Sequence, residues 1–86
     1  IYRKEGYMAN KVILYGTSSC IWCGRTIDFF RKHNVKYKDV DVGANIKAAQ
    51  EMIRKSGQQG VPVIEVNGKM VIGYDENMLK KLLKIK

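Results

Sequence analysis

The sequence predicts one α/β domain, a four-stranded mixed sheet flanked by three helices in the order β-α-β-α-β-β-α. Three observations carry this. Short apolar runs punctuated by glycine alternate with segments of helical period. The pair Asn67-Gly68 separates two apolar runs, as in a tight hairpin. The chain has 86 residues, enough for one core and no second.

In chain order, Val12-Ile13-Leu14-Tyr15 is a buried strand ended by Gly16. Thr17, Ser18 and Ser19 form a polar loop suited to opening a helix. Cys23, Ile27 and Phe30 then recur at helical spacing, with Arg25, Asp28, Arg31 and Lys32 on the polar side. That helix should end near His33-Asn34, where Asn tolerates the left-handed cap conformation. The alternation from Val35 to Val42 slips phase once but fits a second strand, broken by Gly43. Asn45 caps a second helix with Ile46, Ala49, Met52 and Ile53 on one face, closed by Ser56-Gly57. Pro62-Val63-Ile64-Glu65-Val66, Asn67-Gly68 and Lys69-Met70-Val71-Ile72 read as a β-hairpin ended by Gly73. Asp75 caps a last helix whose apolar positions are Met78, Leu79, Leu82 and Leu83. Strands flanking a helix should run parallel with a right-handed crossover, and the hairpin strands antiparallel.

No apolar stretch approaches the ~20 residues of a membrane span. The first seven residues are charged and lack the apolar segment of a secretory signal. Residues 1–8 are therefore expected to be an extension or remnant and 9–86 the domain, with the cytoplasm as its compartment. The formal charge of +8 favours anionic partners, but the basic residues are spread along the chain and no nucleic-acid motif accompanies them. Neither a nucleic acid nor a membrane is an expected partner.

The only two cysteines, Cys20 and Cys23, lie three positions apart. A bridge closing so small a loop removes little entropy from the unfolded chain, so the pair is badly placed as a staple. Cys20-Ile21-Trp22-Cys23 sits where strand and loop hand over to a helix. A thiol there faces unpaired backbone N–H groups and the positive end of the helix dipole, both of which favour a thiolate. A pKa below the ~8.5 of free cysteine raises the nucleophilic fraction at neutral pH. Arg25 and the basic surface act in the same direction. Cys20 is expected to attack a disulfide and Cys23, one turn in, to resolve the mixed disulfide. Two readings compete. A zinc site needs four ligands, and His33 is the only other usual nitrogen or sulfur donor. Buried cysteines can also be inert. His33 itself reads as a helix cap on the surface, and no metal site is expected.

Tyr15 through Leu83 resembles the glutaredoxins of the thioredoxin superfamily. Three landmarks carry the resemblance: Cys20-Ile21-Trp22-Cys23, Gly60-Val61-Pro62-Val63, and Ile72-Gly73-Tyr74-Asp75-Glu76. It implies the thioredoxin (glutaredoxin-like) fold and a dithiol oxidoreductase that reduces protein disulfides or glutathione mixed disulfides. Glutathione would be the co-substrate that recharges it, with no tightly bound cofactor and a monomer as the working unit. Carried over residue by residue, it makes Pro62 a cis proline beside the cysteines. Val61 offers its backbone to the substrate as an added strand, Trp22 lines the groove, and Asp75 and Glu76 hold the γ-glutamyl end of glutathione. Four positions depart from the family pattern. Ile21 replaces a proline, Trp22 a tyrosine, Thr17 a lysine that contacts a carboxylate, and Tyr74 a glycine. They leave open a redoxin recharged by thioredoxin reductase, of the kind that serves ribonucleotide reductase, and a dimer holding a [2Fe–2S] cluster.

Overall fold

The computed structural model describes residues 11–85. The expected extension at residues 1–8 lies outside them. β1 (Val12–Gly16) leads into α1 (Ile21–Lys32), then β2 (Lys38–Asp41), α2 (Ile46–Ser56), β3 (Val63–Val66), β4 (Lys69–Ile72) and α3 (Glu76–Leu83). The sheet order is β2-β1-β3-β4. β1 runs parallel to β2, with Gly16 opposite Asp41, and antiparallel to β3, with Tyr15 opposite Val63. β3 and β4 are antiparallel, with Val63 opposite Ile72. Among the described residues, the four-stranded mixed sheet and three helices are those the sequence predicts. No helix among the described residues is long and apolar enough to cross a membrane.

Strand alternation sorts side chains onto two faces of the sheet. On one face Val12, Leu14, Ile64, Val66 and Val71 meet Phe29 and Phe30 of α1 and Leu79 and Leu83 of α3. On the other, Tyr15 and Val63 meet Met52 of α2. Local chemistry fixes the ends of the elements. Asn45 accepts the Ala48 N–H at 3.0 Å, and Asp75 accepts the Met78 N–H at 3.1 Å. Asn34 and Gly57 take left-handed conformations after α1 and α2. The hairpin turn uses positive φ at both Asn67 (52°) and Gly68 (89°), the requirement that selects this pair.

Three expectations need correction. The second strand covers only Lys38–Asp41, not Val35 to Val42. The Val35 N–H returns to the Phe30 carbonyl at 2.8 Å, so residues 35–37 close the helix end and climb back to the sheet. Val35 and Tyr37 pack on the α1 side, and Val40 and Val42 on the α2 side, which is the phase slip seen in the sequence. On α2, Ile46 is 76% exposed and Ile53 is also exposed. Each residue turns the helix 100°, so Ile53 is carried off the stripe centred on Met52, and Ile46 lies on the same side two turns earlier. Met78 is exposed too, because Leu79 and Leu83 take the inward positions of α3.

Glu65 is 6% exposed in the central strand β3. It accepts from the Lys55 ammonium at 2.9 Å, and Lys55 also reaches the Tyr15 hydroxyl at 3.5 Å. A carboxylate this buried persists only with such a partner. The hydrogen bond to Glu65 holds the Lys55 pKa above its ordinary value, against the opposing cost of desolvation. A raised lysine stabilises the fold fully below its unfolded pKa and loses that contribution as pH climbs through the raised one. Lys55→Met should therefore destabilise the protein by about 1–2 kcal/mol at pH 7, the Lys55 side chain being partly exposed. Denaturant titrations at pH 7 and above pH 11 check this: the gap between variant and wild type should close at the higher pH.

Candidate active site

The site is built where β1 delivers the chain to α1. Cys20 is the N-cap of α1, with extended backbone (φ −85°, ψ 114°), and its Sγ accepts the Cys23 N–H at 3.1 Å. A cap with that geometry is usually Ser, Thr, Asp or Asn; here a sulfur takes the place of the capping oxygen. The Cys20 N–H donates to the Thr17 carbonyl at 3.3 Å, which fixes the loop, and the first turn of α1 carries no acidic residue. Cys20 and Cys23 are joined as a disulfide with their Cα atoms 5.2 Å apart. Cys20 is half-buried and Cys23 is 4% exposed, so the first cysteine keeps access to solvent and the second lies against the sheet at Gly16.

Aromatic contacts bring the third landmark to the cysteines. Trp22, 54% exposed, stacks on Tyr74 with ring centroids 6.2 Å apart and planes 23° from parallel. Tyr74 also meets the edge of Phe29 at 6.2 Å, and its hydroxyl lies 3.5 Å from the Glu76 carboxylate. Burial, with help from that carboxylate, raises the phenol above its ordinary pKa. The Arg25 guanidinium lies 5.1 Å from the centre of the Trp22 ring, where a cation meets the negative face of the indole. Arg25 thus packs on the tryptophan.

The second landmark joins through the backbone. The Val61–Pro62 peptide is cis, Pro62 is buried and Val61 half-buried. The Gly73 N–H donates to the Pro62 carbonyl at 2.9 Å, tying this turn to the residue before Tyr74. At the start of α3, Asp75 spends a carboxylate oxygen on its own cap. Glu76 pairs with Lys80 at 3.1 Å, a contact that holds its pKa below the ordinary range. His33 lies at the far end of α1, as its C-cap, against Phe29 at 4.6 Å. Among the described residues, no three His, Cys, Asp or Glu side chains are grouped to hold a metal ion.

Sequence reasoning missed several residues here. Gly16 reads as a strand terminator, yet a Cβ there would lie 2.7 Å from the Cys23 sulfur. Thr26 is fully buried, and its hydroxyl donates to the Trp22 carbonyl at 2.8 Å. Its position four residues after Trp22, within an apolar stripe, was the available signal. Asp39 and Asp41 line a pocket of about 230 Å³ together with Gly16, Cys20 and Cys23. Asp41 is held there by the N–H groups of Gly43 and Ala44, at 2.8 and 3.2 Å.

Chemically, the arrangement offers a sulfur at a helix opening and a second sulfur already within bonding reach. Comparisons with known proteins agree on its kind. Residues 12–71 match the family model described as Glutaredoxin. The chain is 34% identical over 70 residues to a glutaredoxin-like 8.6 kDa protein of the rubredoxin operon in Clostridium pasteurianum, covering 81% of this chain and 93% of that protein. It is 29% identical over 69 residues to glutaredoxin 3 of Escherichia coli K12, covering 80% and 82%. The crystal structure of a glutaredoxin from Archaeoglobus fulgidus superposes with a TM-score of 0.80 at 29% identity, covering 95% of this chain and 97% of that one.

Proposed function

The chain belongs to the glutaredoxin family, and from that premise we propose that it reduces disulfides by a dithiol cycle in which glutathione is the electron donor. One observation carries the direction of the cycle. The half-buried Cys20 sulfur is the one at the helix N-cap, 3.1 Å from a backbone N–H, whereas Cys23 is buried. The Cys20 thiolate attacks one sulfur of a client disulfide, breaking that S–S bond and releasing the other sulfur as a thiolate that takes up a proton. Cys23 then gives up its proton and attacks the Cys20 sulfur of the mixed disulfide. The second client thiol leaves, and the client has gained two electrons and two protons. A glutathione thiolate opens the Cys20–Cys23 bridge at Cys20, the accessible sulfur, and Cys23 leaves and is protonated. A second glutathione attacks the resulting mixed disulfide, giving oxidised glutathione and the starting thiolate.

In this reading Val61 presents its backbone to the bound peptide as an extra strand edge. Trp22 walls the groove beside the disulfide. The N-terminus of α3, with Asp75 and Glu76, receives the charged end of glutathione. Clients are disulfide-bearing or glutathionylated proteins, met in a reducing compartment by a monomer. A second reading keeps the chemistry and takes thioredoxin reductase as the donor. The Tyr74 ring favours it, because it stacks on Trp22 and stands one residue before the Asp75 cap of α3, where the charged end of glutathione would be received.

A coupled assay separates the two. NADPH consumption with a protein disulfide is followed once with glutathione and glutathione reductase and once with thioredoxin reductase alone. Turnover in the first arm is expected. Turnover confined to the second would move the protein to the other donor.

A further inference from the structure

Thr26 belongs to the interior of α1, fully buried one turn beyond Cys23. Its hydroxyl donates to the carbonyl four residues back, that of Trp22, at 2.8 Å. Threonines in helices often do this, and satisfying a buried hydroxyl is reason enough. What sets this bond apart is the peptide it falls on. The Trp22 carbonyl and the Cys23 N–H are two ends of one planar peptide unit. That same N–H donates to the Cys20 sulfur at 3.1 Å. Hydroxyl, peptide and sulfur thus form an unbroken relay, O–H···O=C–N–H···S.

Hydrogen bonds in such a chain polarise one another. Drawing electron density toward the carbonyl oxygen makes the N–H at the other end a better donor. The gain is larger when the acceptor is an anion, because hydrogen bonds to charged groups are the stronger ones. With Thr26 fully buried, water does not compete at the head of the relay.

We propose that Thr26 is a positioning residue that acts on the Cys20 thiolate through the Trp22–Cys23 peptide, favouring the ionised sulfur over the protonated one. The inference rests on the reading of Cys20 as the attacking sulfur. The other charged or titratable groups facing this sulfur are Cys23 on α1 and, from β2, Asp39 and Asp41, which share its pocket; the Arg25 guanidinium of α1 stands over the neighbouring Trp22 ring. The two carboxylates oppose a thiolate and the guanidinium supports one. None of them changes when Thr26 is replaced, so a substitution there reads the relay alone.

The test is the pH dependence of Cys20 alkylation by iodoacetamide in the reduced protein, resolved from Cys23 by mass. Thr26→Val keeps the shape and loses the hydroxyl; Thr26→Ser keeps the hydroxyl and loses a buried methyl. Thr26→Val should raise the Cys20 midpoint by about 0.3–0.5 pH units, a roughly two- to threefold lower ratio of thiolate to thiol at a given pH. Thr26→Ser should titrate like wild type although it melts lower. Thr26→Ala against Thr26→Ser repeats the comparison with the hydroxyl as the sole difference, should the valine variant fold poorly. Equal midpoints in the variants with and without the hydroxyl overturn the proposal, provided wild-type Cys20 titrates low. A wild-type Cys20 that titrates like a free thiol overturns the underlying reading of the site as well.

Discussion

Cys20→Ser is expected to lower the rate of protein-disulfide reduction by about a thousandfold or more, to the background of free thiol exchange. A serine hydroxyl at the N-cap still accepts the Cys23 N–H, so the helix start and the fold survive and the loss is chemical. The remaining thiol does not substitute. Cys23 is 4% exposed, and burial raises a thiol's pKa while closing the line of approach that displacement at sulfur requires. Cys23→Ser should behave differently. It leaves the Cys20 thiolate intact and removes the intramolecular displacement, so a mixed disulfide between Cys20 and its substrate accumulates until a glutathione thiolate resolves it. Mass spectrometry after a single turnover would find the adduct on Cys23→Ser and none on Cys20→Ser. Substantial disulfide reduction by Cys20→Ser would reverse the assignment of the two sulfurs.

Features set by neighbouring residues could be read in the sequence. Asn45 and Asp75 cap their helices because a short polar side chain can reach an N–H three residues on. Asn67 and Gly68 form the hairpin turn because both tolerate positive φ. The spacing of Cys20 and Cys23 ahead of a helical pattern was enough to place one sulfur at the helix opening. Features made by elements distant in the chain could not be read. Glu65 stands in the sequence simply as one member of a hairpin strand, yet it lies beneath α2 and depends on Lys55, ten residues earlier. Tyr74 is legible in the sequence only as a departure from the family's glycine; only the packed structure shows it stacked on Trp22. The slip between Tyr37 and Val40 was visible, but nothing local said that the chain changes partners there, from α1 to α2. Gly16 carries no signal of its own, and the place of Thr26 in an apolar stripe signals only its burial; the consequence of each lies in the atom it touches.

Gly16 shows how much one such contact can matter. It ends β1, the strand flanked by both β2 and β3, and its backbone is held in place: its carbonyl accepts the Val42 N–H at 2.9 Å and its residue pairs with Asp41. A Cβ at this position would stand 2.7 Å from the Cys23 sulfur and 3.3 Å from the Cys23 Cβ, the first distance shorter than real contacts show. Backbone strain is not the obstacle, since Gly16 lies in regular strand conformation; the obstacle is the occupied space. An interior strand cannot retreat without losing its ladder, so α1 or Cys23 must give way. In the reduced protein the Cys23 thiol can rotate to another rotamer. In the oxidised protein the bond to Cys20 pins it, and the N-terminus of α1 must lift from the sheet instead. Gly16→Ala should therefore destabilise the reduced form by about 1 kcal/mol and the bridged form by about 3 kcal/mol, within the usual range for overpacking. The difference appears as a reduction potential about 40 mV more oxidising than wild type, since 30 mV corresponds to 1.4 kcal/mol for this two-electron couple. Equilibration in glutathione redox buffers reads the potential, and denaturant titrations of the two redox forms read the stabilities. If both forms lose the same stability and the potential stays put, the sulfur has room beside the strand, and Gly16 is only the residue that ends it.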